Sequence, residues 1–419
     1  MVPNGWKLGV ISDLADTIMG YAFKSADFTK TGIPLLRMGN LYQNALSFDR
    51  NPIYLPESFK NEYERFLVKP NDLVMSMTGT MGKRDYGFTV KIPTDAPYSL
   101  LNQRVIKFVP KHQSSSGFIL NLLRSEIILS RLYAIPGGTK QANLSAKQIQ
   151  ELPAPIPPLS EQCKIAKILS TWDKAISNTE RLIDNSKQQK KALMQQLLTG
   201  KKRLLDDSGK PFEGEWEESS IDSCFKLITD YVASGSFASL KENVSVSDYE
   251  NFAHYVRQTD LAAKFTNKNL KWVDERSYNF LVKSNLHEGD ILFTNIGDLG
   301  KVFYMPRLKK PATVAPNLVV LRVNESNDSK FIYYLLASDV GQREIHKIKS
   351  GTGLPKINKT EFKTMKFQIP ALNEQQKIAS VLSTADNEIE LLEQQLADLK
   401  QEKKALMQQL LTGKRRVAV

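Results

Sequence analysis

The stretch KKALMQQLLTGK occurs twice, from Lys190 to Lys201 and from Lys403 to Lys414. The same shift of 213 residues carries Glu161 onto Glu374, Leu169 onto Leu382 and Thr171 onto Thr384. Between Pro157 and Arg203, about 27 of roughly 47 positions match their counterparts. A repeat of that fidelity means two copies of one unit, each ending in a long helix.

The helices follow from the period of their apolar residues. Pro153, Pro155, Pro157 and Pro158 make a stiff, extended lead-in, because proline fixes φ and removes a donor. The first long helix is expected from about Ser160 to Thr199, with Ser160 as N-cap and Glu161 at the positive end of the dipole. Ile165, Leu169, Trp172, Ile176, Thr179, Ile183, Ser186, Lys190, Leu193 and Leu197 recur at alternating four- and three-residue steps, a coiled-coil seam with a polar middle. Gly200 ends it, and Lys201, Lys202 and Arg203 suit a helix C-terminus.

The second helix is expected from about Glu374 to Thr412, with Asn373 and Gln376 as a capping box. Ile378, Leu382, Ala385, Ile389, Leu392, Leu396, Leu399, Lys403, Leu406 and Leu410 give a cleaner seam. Each helix is ~60 Å long at about 1.5 Å per residue, more than one small domain can cover. The two are therefore expected to pack on each other, antiparallel.

The rest of each half reads as short strands and turns. LGVISDLADTI, IPLLRMGNL, DLVMSMTG, YGFTV and RVIKFVP are apolar or alternating segments split by Gly, Pro and Asn. One helix is expected over 116–134, ended by Pro136-Gly137-Gly138, and a short one over Ser145–Glu151. The second half repeats the plan from GEWEESSIDSCFKLI around Trp216, the counterpart of the segment around Trp6. The expected fold class is α+β. It has two small mixed α/β domains, 1–156 and 205–369, each followed by a long-helix segment, 157–204 and 370–419, with pseudo-two-fold symmetry.

Charge favours a polyanionic partner: the net charge is +12 and the pI about 9.3. Cys163 and Cys224, far apart and without metal spacing, fit a reducing cytoplasm rather than a disulfide scaffold or zinc site. No signal peptide opens the sequence, and no run of about 18 apolar residues suggests a membrane span.

No catalytic constellation stands out. Gly79-x-x-Gly82-Lys83 is too short for a phosphate loop, and Arg84 replaces the magnesium-holding hydroxyl. No G-x-G-x-x-G opens a helix, and His112, His254, His287 and His346 are scattered. Glu361-x-Lys363 resembles a nuclease dipeptide, but Gln148-x-Gln150 stands opposite it in the repeat. An Asn/Asp-Pro-Pro-aromatic run for amino-group methylation is also missing.

What remains is turn chemistry with interleaved cations. TGTMGKRDYG offers Thr78, Thr80, Lys83, Arg84 and Tyr86, and GGTKQAN offers Thr139, Lys140, Gln141 and Asn143. The second half offers Asn295, Asp298 and Lys301 in TNIGDLGK, and Thr352, Lys356 and Asn358 in SGTGLPKIN. Gly admits a phosphate to the backbone, cations neutralise it, and Arg, Gln and Asn read base edges. Taken singly, each loop reads equally as a hairpin turn with solvated lysines. Arg37 and Arg257 occupy equivalent places and fit either DNA contact or an internal salt bridge.

The sequence resembles the specificity subunit of type I restriction–modification enzymes over essentially its whole length. The carrying motifs are PPLSEQCKIAKILSTWDKAI with KKALMQQLLTGKKR, and PALNEQQKIASVLSTADNEI with KKALMQQLLTGKRR. The resemblance implies a non-catalytic, cytoplasmic subunit with two target-recognition domains, each reading one half of a bipartite site in double-stranded DNA. The helices would set the gap and dock two methyltransferase subunits, and restriction/translocase subunits would join that core. S-adenosylmethionine, ATP and magnesium would belong to those partners, and this chain would hold no cofactor. The competing readings are a coiled-coil scaffold with two protein-binding domains and a self-contained methyltransferase or nuclease. Trp172 stands opposite Ala385 in the repeat, so the two helices are not interchangeable.

Overall fold

A computed structural model of the chain describes residues 2–135, 140–350 and 356–418. The chain forms two compact units, one of Met1–Arg181 with Gln394–Val419 and the other of Leu182–Glu393. Each unit therefore contains parts of both long helices, Leu159–Leu197 and Leu372–Leu410.

In the first unit a four-stranded sheet has the order Ala15–Met19, Val105–Pro110, Leu73–Ser76, Thr89–Lys91. A second sheet has the order Tyr54–Leu55, Ile33–Leu36, Ser99–Leu101, Leu67–Val68, with Ile33–Leu36 parallel to Ser99–Leu101. The second unit repeats both. Its first sheet runs Phe225–Asp230, Leu318–Val323, Ile291–Thr294, Val302–Tyr304. Its second adds Val246–Ser247 outside Trp272–Val273, Ala253–Val256, Ala312–Val314 and Asn285–Leu286. The recurring order, including the parallel pair, shows that the outer segments share one frame although their loops differ in length.

Within LGVISDLADTI a helical turn, Ile11–Leu14, separates the short strands Lys7–Val10 and Ala15–Met19, with Asp13 accepting the Val10 N–H at 2.9 Å. One local expectation is corrected. The expected helix over 116–134 is two helices, Ser116–Leu123 and Glu126–Tyr133. Ser125 breaks it by adopting an extended conformation while its hydroxyl donates to the Leu122 carbonyl. Ser338 does the same between Ser329–Ala337 and Asp339–Lys347, and its Oγ also caps Gly341.

The helix starts are also corrected. The first begins at Leu159, so Pro158 rather than Ser160 supplies the first carbonyl, to the Gln162 N–H. The second begins at Leu372, with Ala371 in that place. The fully buried glutamine after each Glu ties the lead-in instead. Gln162 donates to the Pro157 carbonyl and accepts from the Ser115 N–H; Gln375 does so with Pro370 and Asp328.

The repeated LMQQLLTG segments work as plugs. Leu410 and Leu411 are buried in the first unit's core with Trp6, Phe118, Ile165 and Leu169. Leu197 and Leu198 are buried in the second unit's core with Ile221, Phe331, Ile378 and Leu382. Each domain is thus completed by the end of the helix that starts from the other half of the sequence. Gly200 and Gly413 follow the plugs with φ of +67° and +71°, and a Cβ on Gly413 would lie 2.3 Å from the Pro3 ring.

Beyond each plug, an arginine closes a clasp. Arg416 donates to both Glu161 carboxylate oxygens at 2.8 and 2.5 Å, and Trp6 Nε1 donates to the same carboxylate at 3.2 Å. In the second unit Arg203 and Trp216 hold Glu374 at 2.7, 2.8 and 3.3 Å. Both glutamates are buried, so charge and hydrogen-bonding capacity must be met locally.

Within each unit the helical segments run antiparallel. In the first, Asp173 pairs with Lys403 at 2.5 Å and Glu180 with Lys400 at 2.7 Å. In the second, Lys190 pairs with Asp386 at 2.5 Å and Lys187 with Glu393 at 2.7 Å. Lys190 and Lys403 stand in the apolar seam, so the polar middle is a set of charge pairs that other registers would break. Ile165, Leu169, Ile183, Leu197, Ile378, Leu382, Ile389 and Leu410 are buried, and Trp172, Ile176, Leu193, Leu392, Leu396, Leu399 and Leu406 half-buried.

Truncating a plug should loosen the unit that receives it. Leu410→Ala and Leu197→Ala should each cost about 2–5 kcal/mol. Hydrogen exchange should then rise in the sheet containing Val105–Pro110 for Leu410→Ala and in that containing Leu318–Val323 for Leu197→Ala; equal effects on both sheets would refute the assignment. The clasp makes a separate, pH-dependent contribution. Hydrogen bonds from Arg416 hold the Glu161 carboxyl below its usual range, against the opposing effect of burial and with further help from Trp6. Its stabilisation is present above the unfolded-state value and lost as pH falls through the folded one. Glu161→Gln should therefore melt below the parent chain at neutral pH, with the gap narrowing on acidification; a constant gap would exclude this contribution.

Candidate nucleic-acid interface

The fold joins the two glycine-containing loops of each half. In the first unit Thr78–Thr80 pairs antiparallel with Gln141–Asn143, Thr80 opposite Gln141 and Thr78 opposite Asn143. In the second, Ile296 forms a bridge with Lys356, and the Ile357 N–H donates to the Asn295 carbonyl at 3.0 Å. Segments 60 or more positions apart in sequence thus present one surface in each unit.

Within the first pair, position decides what each side chain can do. Thr80, Lys83, Lys140, Gln141 and Asn143 are exposed, and neither Lys83 nor Lys140 makes an ion pair among the described residues. Thr78 and Tyr86 are corrected from ligand-facing to supporting residues, because both are buried, at 3% exposure each. Tyr86 packs edge-on against Tyr133, whose hydroxyl donates to the Tyr86 carbonyl at 2.8 Å. Arg84 is spent internally: it grips both Glu126 oxygens at 2.9 and 3.1 Å and lies over the Tyr133 ring. Asp85 shapes the turn by accepting the Thr80 N–H at 2.7 Å. Burial would raise its carboxyl, but the Thr80 hydrogen bonds and the Lys83 charge outweigh it and hold the group below the usual range. A Cβ on Gly79 would lie 2.4 Å from Asp85 Oδ1 and 2.8 Å from Tyr86 Cβ, so a side chain here would displace the carboxylate that shapes the turn.

The second pair is wired differently. Lys301 is ion-paired with Asp298 at 2.5 Å, and Gln258 Nε2 reaches the same carboxylate at 3.4 Å. Asn295 is half-buried, and its Oδ1 has no hydrogen-bond partner among the described residues. Asn358 is the N-cap of the helix Lys359–Lys363, accepting from the Thr360 N–H at 2.9 Å, so its side chain serves the fold. Lys356 is exposed. Thr139 and Thr352 lie outside the described residues.

The two arginines also differ. Arg257 grips Asp260 through Nε and Nη at 3.0 and 2.7 Å and donates to the Asn269 carbonyl, which is the internal salt bridge. Arg37 is half-buried, and Asn40 replaces the acid. Backbone bonds connect Arg37 to the first loop pair. Asn102 N–H donates to the Leu36 carbonyl, and Met77 N–H donates to the Arg104 carbonyl. Tyr21, 41% exposed, bridges to Asn102. Exposed Gln103 and Arg104 therefore belong to this edge. Sequence reading missed them because they sit in a turn without glycine. Such an edge combines cations for phosphates, amides for base edges and an aromatic face for stacking. Among the described residues no cluster of His, Cys, Asp and Glu could hold a metal ion, and no helix is long and apolar enough to cross a membrane.

Comparison with known proteins identifies the family. The family described as type I restriction modification DNA specificity domain matches residues 3–186 and again 213–401. The chain belongs to that family. It is 24% identical over 428 residues to a putative type I restriction enzyme MjaX specificity subunit of Methanocaldococcus jannaschii, covering 99% of this chain and 95% of that one. The EcoKI specificity subunit of Escherichia coli is 22% identical, over 90% of this chain and 81% of its own. The fold also matches the solved S subunit of a type I restriction–modification system from M. genitalium, with a TM-score of 0.57, 16% identity and 98% of each chain covered. As a type I specificity subunit, the chain has two recognition domains, and the two loop pairs are equivalent parts of them.

Exposed and supporting positions should separate in mutagenesis. Lys83→Ala with Lys140→Ala should leave stability within about 0.5 kcal/mol of the parent. Tyr86→Ala should cost about 3–5 kcal/mol through lost packing on Tyr133. Denaturant titration distinguishes the two, and a large loss for the lysine pair would mean that those cations hold the loop together.

Proposed function

We propose that each recognition domain reads one half of a bipartite site in double-stranded DNA through its paired loops, and that the long helices set the gap. The carrying observation is the same loop pairing at the same place in both units of a basic chain, with exposed cations in the first that make no ion pair among the described residues. Two methyltransferase subunits dock on the helices and supply S-adenosylmethionine and catalysis; restriction/translocase subunits join them with ATP and magnesium. Equivalent grooves beside the helix ends support docking of one partner in two copies. In the second unit Lys191, Met194, Gln195, Asp339 and Val340 line a groove of about 1130 Å³. In the first, the residues at the same repeat positions, Lys404, Met407, Gln408, Glu126 and Ile127, line one of about 240 Å³.

The test uses the purified full chain and a random-sequence duplex library. Selection should enrich two sequence blocks at a fixed gap. Affinity for the selected duplex should fall about a thousandfold between about 50 and 200 mM salt if roughly six phosphates are engaged. Calorimetry should detect no binding of S-adenosylmethionine, and methylation should appear only with a cognate methyltransferase subunit. Absence of DNA affinity at low salt would favour the protein-binding scaffold, and methylation by the lone chain would favour a self-contained enzyme.

A further inference from the structure

Arg37 and Arg257 close the same strand in the two units, yet their chemical states differ. Arg37 follows Ile33–Leu36 and Arg257 follows Ala253–Val256, the strands that pair in parallel with Ser99–Leu101 and Ala312–Val314. In each, the arginine N–H donates to the side chain three residues on, at 2.8 Å to Asn40 Oδ1 and at 3.0 Å to Asp260 Oδ2. The turn geometry is therefore shared, and the residue at its third position differs only in having an amide or a carboxylate.

That difference decides where each guanidinium goes. Asp260, almost fully buried, has oxygens to spare, and Arg257 and Asn267 Nδ2 fill them. Asn40, also buried, carries no charge and has one oxygen where Asp260 has two, and that oxygen accepts the Arg37 N–H. Its amide donates instead to the carbonyls of Ser47 and Arg50, fastening the following loop. The Arg37 guanidinium consequently has no hydrogen-bond, ion-pair or ring partner among the described residues. The backbone just before Arg37 is bonded to the turn that carries exposed Gln103 and Arg104, through the Asn102 N–H to the Leu36 carbonyl, and Arg104 is bonded in turn to Met77 beside the first loop pair.

We infer that Arg37 is a direct DNA contact of the first recognition domain, left available by Asn40, whereas Asp260 withdraws Arg257 from that role in the second. Asn40 and Asp260 are positioning residues that set whether the arginine at this corner meets DNA. The inference rests on the DNA-reading function proposed above and names one of its contacts. It also makes the two domains chemically unequal at a point where their backbones agree.

The test measures binding of the full chain to a duplex selected from a random-sequence library, together with thermal melting. Arg37→Ala should weaken binding at least tenfold and leave the melting temperature unchanged. Arg257→Ala should lower the melting temperature, because it strands the buried Asp260 carboxylate. Asp260→Asn keeps the shape of the turn and frees Arg257. It should change the base preference or the salt slope of the second block while the first block stays as it was. The inference is overturned if Arg37→Ala binds like the parent chain, or if its loss of binding comes with an equal loss of melting temperature. A parent chain that binds no duplex at all would instead count against the proposed function.

Discussion

The buried carboxylate at the start of each long helix is the constraint on which the rest of the structure depends. Glu161 cannot be left in a core without partners, and its partners come from the two extremes of the sequence, Trp6 and Arg416. Once these three meet, the lead-in strand Pro153–Ile156 is held against Lys7–Val10 and the Leu410–Leu411 plug is seated in the domain core. The second unit solves the same problem with Trp216, Glu374 and Arg203. A buried ion pair contributes modestly to net stability but penalises every arrangement that separates its members. Its value here is specificity: each domain accepts a particular helix end.

The same reasoning applies along the helices. A seam made only of leucine and isoleucine would tolerate sliding by a heptad or a parallel arrangement. Lys190 and Lys403 interrupt it at equivalent positions, and each finds an aspartate, Asp386 or Asp173, on the antiparallel neighbour within its unit. The copies then diverge around the shared pair. The Tyr334 hydroxyl donates to Asp386, and Lys190 lies over that ring. At the matching position Asn121 turns its amide back to the Gly117 carbonyl of its own helix. Register is thus set by what the repeats share, and the surroundings are left free to vary.

How much of this was legible in the sequence depended on whether the signal was local. Helices of 39 residues followed from the four-and-three spacing of Ile165 to Leu197 and Ile378 to Leu410. That the helices pack on each other followed from the need to bury those stripes, whereas their antiparallel direction is shown by the charge pairs within each unit. The helix breaks at Ser125 and Ser338 were also present, as a serine followed by an acidic residue, but the surrounding apolar period masked them. The clasp was not legible as a clasp. Glu161 and Arg203 each had a sufficient local explanation in the helix dipole, and only the fold shows that each bonds to a residue far away in sequence. Among candidate contacts, exposure could not be read at all. Thr78 and Tyr86 lie in the same loop as Lys83, and the alternation of a short strand and the packing of Tyr133 decide which point outward.

Two domains that share a frame can still differ in the chemistry they present, and the loop corners show how this is possible without altering the frame. The backbone at Arg37 and Arg257 is fixed by one hydrogen bond that either an amide or a carboxylate can accept. Between these two corners strand order, parallel pairing and turn are kept, yet the arginine's positive charge is neutralised by Asp260 in one and has no ion-pair partner among the described residues in the other. Lys83 and Lys301 show the same economy, the latter drawn into an ion pair by Asp298 where the first loop places no carboxylate within ion-pair distance of Lys83. Divergence of this kind needs single substitutions rather than new folds. The helices keep the repeated KKALMQQLLTGK motif while the domains they carry diverge in this way.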